Sequence, residues 1–197
     1  MQVSLNVREV SGRIQALRLD SGLTMQEMAD ATGRSVAEYA AQESGEQDFS
    51  FTFLSKCAEK LGVDVVELLT GEAPHLKGYS VTPASEGISI HRHAGFEYLH
   101  KGQHLKNRLA EPFLVTQPYL EEEQNTEIHL SYHEGQEIDY IISGRMRFSY
   151  EGKTEELGPG DMLMYDSGRG HGMIAIDDEP VTFIAITIPP KEGIIKK

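Results

Sequence analysis

Apolar positions recur every three or four places through the first seventy residues, and every second place in much of the remaining chain. Val10, Ile14 and Leu17 make one helical stripe, and Leu54, Cys57, Ala58 and Leu61 make another. Three helix starts carry capping-box chemistry, in which a side-chain oxygen and an acid three residues on satisfy free N–H groups of the first turn. They are Thr24 with Glu27, Ser35 with Glu38, and Asp64 with Glu67. Gly33, Gly45 and Gly62 fall where helices should stop. The pattern predicts five short helices within residues 1–72.

Residues 73–79 read as a linker, and the remainder, 80–197, reads as all-β. Runs rich in β-branched and aromatic residues cover 113–116, 128–131, 138–142, 146–150, 162–165 and 182–188. Turn signals separate them at Ser143-Gly144, Glu151-Gly152 and the segment Gly158 to Asp161. Many short strands at this spacing predict a sandwich or barrel. The acidic run Glu121 to Glu123 reads as a solvated loop.

Charge narrows the function classes. A net charge of −13 argues against a protein that coats nucleic acid through charge alone. The single cysteine, Cys57, sits among apolar helical neighbours and reads as a buried small hydrophobe rather than a nucleophile. No apolar run approaches the ~18 residues of a membrane span. Charged residues near the N-terminus occupy the place of a signal peptide's apolar stretch. The expectation is a soluble cytoplasmic protein.

The segment from Gly22 to Gly33, followed by Arg34 to Gly45, resembles the Xre (phage-repressor) type of helix-turn-helix across residues 8–70. The resemblance rests on the helix-2 pattern, the turn Gly33, the Glu43-x-Gly45 ending and the Leu61-Gly-Val-Asp64 close. It implies a five-helix, lambda-repressor-like domain whose third helix enters the major groove of operator DNA. The contacts it implies are Gln26, Arg34, Ser35, Glu38 and Gln42. Residues 1–72 nevertheless hold six Lys/Arg against twelve Asp/Glu, so binding must lean on a few arginines and on avidity between two copies.

From Ser131 the chain reads Ser-Tyr-His133, then Glu137 and Gly144, and from Gly160 it runs through Asp166 and Gly168 to His171. These segments resemble the two cupin motifs, with Ser131 in place of the first histidine and Asp166 in place of a proline. The resemblance covers roughly residues 80–190 and implies a double-stranded β-helix (jelly-roll) barrel. His133, Glu137 and His171 form the candidate metal set. Two imidazoles and a carboxylate on one face of a divalent ion suit Fe(II), with Zn, Mn, Ni or Co as alternatives. An empty barrel with hydrogen-bonded histidines is the bland alternative.

Ser131, Tyr98, Tyr140 and Tyr165 are candidates to line a ligand pocket, although core packing is the better reading of each tyrosine. His91 and His93 have the alternate spacing of a metal pair but read as a solvated strand. His100, Lys101, His104, Lys106 and Arg108 read as a basic patch that steers an anionic effector to the barrel, touches DNA phosphates or simply decorates the surface.

Together the two halves resemble a family of helix-turn-helix–cupin transcriptional regulators. That resemblance implies a homodimer or higher homo-oligomer, operator DNA and a small-molecule effector in the barrel. The domain order and ligand set also resemble the hydroxypropylphosphonate epoxidase family, which implies an Fe(II)-dependent oxygenase as the alternative. There the helical domain supplies a lysine to the substrate, whereas the corresponding stretch here, Asp20 to Thr24, has none.

Overall fold

Helix starts in the N-terminal region are set by the side chains that cap them. In the computed structural model, which describes residues 2–4, 6–48, 50–74, 78–91 and 95–190, a short strand β1 (Gln2–Ser4) precedes five helices. These are α1 (Val7–Asp20), α2 (Met25–Thr32), α3 (Val36–Glu43), α4 (Phe51–Leu61) and α5 (Val65–Thr70). Thr24 with Glu27 and Ser35 with Glu38 form complete capping boxes. Asp64 caps α5 by accepting from the Val66 N–H at 2.9 Å. Gly33 and Gly62 close α2 and α4 in the left-handed conformation, at φ 67° and 70°. Gly45 follows the α3 cap, which is Ser44.

The helical core is built on Ile14, Met28, Tyr39, Phe53 and Leu68, all essentially without solvent contact. Cys57 lies within it, and burial pushes its thiol up to about 12, so it stays protonated and inert. Arg18 reaches into this core from α1. Its Nε and Nη2 donate to the two carboxylate oxygens of Glu43 at 2.6 and 2.8 Å, and the Tyr39 hydroxyl donates to the same acid at 2.8 Å. Arg13 donates to the carbonyls of Leu68 and Leu69 near the end of α5. Two of this region's six cations are therefore engaged in holding its helices together.

The chain divides into two compact units, Gln2–Thr82 with Gln103–Asn107, and Pro83–Gly102 with the chain from Arg108 on. The second unit holds β2 (Gly87–His91), β3 (Glu97–His100), β4 (Glu111–Gln117), β5 (Gln136–Ser143), β6 (Arg145–Tyr150), β7 (Lys153–Leu157), β8 (Met162–Asp166), β9 (His171–Ile176) and β10 (Val181–Ile188). Within it the large sheet runs β2-β3-β4-β10-β5-β8 and the small one β7-β6-β9, with every pairing antiparallel. Strict alternation sorts the large sheet. Phe113, Val115, Ile141, Phe183 and Ala185 face inward, and Met146, Phe148, Ile174 and Ile176 of the small sheet are buried with them.

Two sequence expectations need correction. Residues 128–131 do not form a strand; only Ser131 pairs, in an isolated bridge to His171. The apolar alternation there is real, and the segment lies against the start of β9, where a Cβ on Gly172 would overlap the His129 carbonyl oxygen, but no hydrogen-bonded ladder extends beyond the Ser131 bridge. The basic stretch 100–108 is not a continuous surface patch either, although Lys106 is exposed. His100 is fully buried, with its Nε2 2.6 Å from Glu111, and the Arg108 Nε donates to the same carboxylate at 2.5 Å. The Lys101 ammonium donates to the carbonyls of Pro83, Ala84 and Glu86, closing the loop before β2. The acidic run 121–123 forms a 3₁₀ turn, and burial raises the pKa of Glu123. Arg92 and His93 lie outside the described residues, as does the side chain of His91.

Candidate metal centre

Three stretches of the cupin-like unit converge on one point because their backbones are pinned together. The His133 N–H donates to the Ser167 carbonyl at 2.9 Å, and the Ser167 N–H donates to the Gly135 carbonyl at 3.2 Å. Ser131 and His171 exchange both backbone bonds, at 2.7 and 3.2 Å. Gly135 turns the chain between His133 and Glu137 at φ 112°, where a Cβ would overlap the Ile188 carbonyl oxygen. Only glycine fits that turn.

The donor atoms of His133, Glu137 and His171 all lie within 4.8 Å of one another. The His133 Nε2 is 2.7 Å from the Glu137 Oε2, and the two imidazole rings stand nearly perpendicular with centroids 5.1 Å apart. The His171 Nδ1–H donates to the Arg169 carbonyl at 2.9 Å, which leaves Nε2 to present its lone pair. Burial lowers the His171 pKa and favours the neutral, ligating imidazole. Two neutral-capable imidazoles and a carboxylate fit a divalent transition metal.

Polar groups crowd beside the triad. Asp139, two residues on from Glu137, is fully buried, and neither carboxylate oxygen has a hydrogen-bond partner among the described residues. The Tyr165 hydroxyl and the Ser167 Oγ are likewise buried and unpartnered. Burial, with the Glu137 charge next, raises the Asp139 pKa well above the ordinary carboxylate range. Burial and the two acids likewise keep the Tyr165 phenol protonated. Tyr165 pairs with Glu137 across β5 and β8, and its ring lies 4.9 Å from His171 and 5.0 Å from Phe148.

The remaining pocket candidates scatter. Ser131 is exposed beside His171 on the bridge. Tyr98 is half-buried against Phe96 and Phe113, in the row that contains Ile141 rather than Glu137. Tyr140 lies on the outer face of β5 and is 40% exposed. Asp139 and Ser167 escaped the motif reading, yet alternation from Glu137 and Tyr165 points both inward.

Of the groove candidates, Arg34 is exposed immediately before α3. Gln26 donates to Asp30 at 2.8 Å, and Ser35 and Glu38 are committed to each other in the capping box. Gln42 is buried, its amide donating to the Asp48 carbonyl at 3.3 Å, because Tyr39, Gln42 and Glu43 form the inward stripe of α3.

Five capped helices with an exposed arginine before the third, and a two-sheet β unit around a His-Glu-His cluster, define a helix-turn-helix domain joined to a cupin domain. Residues 14–68 match the helix-turn-helix family profile and residues 119–187 the cupin domain profile. Among solved structures, the chain is similar to an HTH_3 family transcriptional regulator from Vibrio cholerae, at 17% identity and a TM-score of 0.59, covering 93% of this chain and 97% of that one. It is also similar to hydroxypropylphosphonic acid epoxidase from S. wedmorenis, at 16% identity and a TM-score of 0.48, covering 92% and 98%. The Vibrio likeness shows a shared fold. No curated protein sequence matches the chain.

Proposed function

We propose that the chain is a cytoplasmic DNA-binding transcriptional regulator whose cupin barrel senses a small molecule at a divalent metal site, with Fe(II) the favoured metal. The observation that carries this reading is the His133–Glu137–His171 cluster, buried at Glu137 and His171 and half-buried at His133, in a chain that also holds a helix-turn-helix domain. Among the described residues no helix is long and apolar enough to cross a membrane. Arg34 is the main phosphate contact, aided by Gln26 and the exposed first turn of α3. With few free cations, each head binds weakly, and two copies acting together supply the affinity.

A bound divalent ion would add a Lewis-acidic centre with open coordination positions. His133, Glu137 and His171 hold it, and the Arg169 carbonyl fixes the ring of His171. In the motif Ser131 replaces the first histidine, and a site with three protein ligands leaves room for the effector. Asp139, Tyr165 and Ser167 supply the polar groups that recognise it.

The same donor set serves mononuclear iron oxygenases, so an epoxidase-type enzyme with a non-DNA-binding helical domain is the second reading. Two measurements separate the readings: selection from random oligonucleotides, and Fe(II)-dependent O₂ uptake with its Glu137→Ala control. A regulator yields a defined sequence whose retention collapses with salt and weakens in Arg34→Ala. No sequence preference, together with O₂ uptake that Glu137→Ala abolishes, would replace it with the enzyme.

A further inference from the structure

His133 and His171 come from different stretches of chain, yet both are held by the one turn that joins β8 to β9. The Ser167 carbonyl accepts the His133 backbone N–H at 2.9 Å. Two residues on, the Arg169 carbonyl accepts the His171 Nδ1–H at 2.9 Å. The path of this turn therefore sets both the tilt of the His171 ring and the position of the His133 segment.

The turn is shaped by the side chain of Asp166, the residue that departs from the motif's proline. Its Oδ1 accepts the Gly168 N–H at 2.9 Å and closes an Asx turn over residues 166–168. The Asp166 carbonyl meanwhile accepts the Tyr150 hydroxyl at 3.1 Å and the Arg169 N–H at 3.3 Å. A proline would restrict the backbone here through its ring, whereas a side-chain hydrogen bond does so in this chain. The Arg169 guanidinium is the weaker tie. It donates to Glu151 at 2.7 Å and lies 3.8 Å from the Asp166 carboxylate, but it is 56% exposed, where ion pairs contribute little.

We infer that Asp166 is a positioning residue for the metal centre, its carboxylate oxygen shaping the turn whose carbonyls orient His133 and His171, a role that rests on the metal-site reading above. Asp166 lies outside the ligand cluster and acts through the main chain. An imidazole that exchanges tautomers presents the Nε2 lone pair only part of the time. Holding Nδ1–H on a fixed carbonyl removes that cost before a metal arrives.

Long-range ¹H–¹⁵N NMR of the imidazoles tests it, on the full chain treated with chelator and held at about pH 8, where histidine is neutral. The wild type should show His171 as a single Nδ1–H tautomer, assigned by its disappearance in His171→Gln. Asp166→Ala should convert that signal to a tautomer mixture, while Asp166→Asn, which keeps the oxygen acceptor, should match the wild type. The Asp166 side chain is 44% exposed, so its loss leaves the core filled. Asp166→Leu removes the acceptor at nearly the original size and should behave as the alanine variant does. Arg169→Gln keeps the backbone carbonyl and should leave the tautomer unchanged. Calorimetric titration with Zn(II) should give affinity weaker by roughly 10-fold or more in the alanine and leucine variants, and unaltered in Asp166→Asn. A single Nδ1–H tautomer in both the alanine and leucine variants, or Zn(II) affinity equal to that of the wild type, would overturn the role of Asp166. A wild type that binds no Zn(II) would remove the metal reading instead, and the tautomer of metal-free His171 would still decide whether Asp166 orients it.

Discussion

Asp139 lies two residues beyond Glu137 on the same inward face of β5, and its carboxylate has no hydrogen-bond partner among the described residues. A buried acid beside a second acid is most stable protonated, so its folded pKa lies well above the unfolded value of about 4. The stability linked to this group is therefore fully present below about pH 4 and lost as pH rises through the raised folded value. In chelator-treated protein, the melting temperature should fall from pH 5 to pH 8. Asp139→Asn should flatten that slope and raise the melting temperature at pH 8 relative to the wild type. An identical pH slope in the variant would mean that Asp139 ionises freely.

Arg18 and Glu43 form a bidentate pair inside the helical unit, with 8% and 1% of their side-chain surfaces exposed. The Glu43 hydrogen bond is the main cause of the raised Arg18 pKa. Removing one partner strands a buried charge, so Arg18→Ala should cost about 3–5 kcal/mol in urea unfolding. Arg18→Met/Glu43→Leu, which removes both charges, should recover most of that loss. Equal losses in the single and double variants would show that the pair's packing matters more than its charge.

The features legible in the sequence were those whose causes are local. Thr24 with Glu27 and Ser35 with Glu38 act over three residues, so two of the three expected capping boxes form, while at Asp64 only the cap to the Val66 N–H forms, without the return from Glu67. The His133–Glu137–His171 set was readable because two short motifs carry it. Features that depend on a distant partner were not. His100 looks like a surface cation until β4 brings Glu111 against it, whereas Arg108, three residues from that acid, was within reach of a local reading. Residues 128–130 alternate like a strand but form no ladder, pairing with β9 only at the Ser131 bridge that follows them. Gln42 was assigned to the groove by motif position, while the spacing of Tyr39, Gln42 and Glu43 turns it inward. Asp139 needed only the alternation that starts at Glu137, and was hidden by the motif's silence about that position.

Arg34 and Gln42 should therefore separate in a DNA-binding assay. Arg34 is exposed before α3, so Arg34→Ala should weaken retention on all sequences and lower the slope of log affinity against log salt by about 1. Gln42 is part of the helical core, so Gln42→Ala should shift the melting temperature and leave base preference unchanged. A changed preference in folded Gln42→Ala would return that residue to the interface.

Gly135 sets how closely the two halves of the first ligand pair approach. Its φ of 112° is closed to a side chain, and an added Cβ would overlap the Ile188 carbonyl oxygen, which belongs to backbone and cannot swing aside. Its own carbonyl also receives the Ser167 N–H that holds the His133 segment. Gly135→Ala should cost at least about 2 kcal/mol of stability and lower metal affinity together with it. Gly152 separates strain from crowding, because its φ is 78° and nothing lies within 4 Å of an added Cβ. Gly152→Ala should lose about 1 kcal/mol and leave metal binding intact. Gly158→Ala, with no positive φ and its nearest neighbour at 3.8 Å, should be close to neutral. Calorimetric titration with Fe(II) or Zn(II), alongside thermal melts of the three variants, measures both quantities. If Gly135→Ala bound metal as tightly as the wild type, the turn would not be what aligns His133 with Glu137.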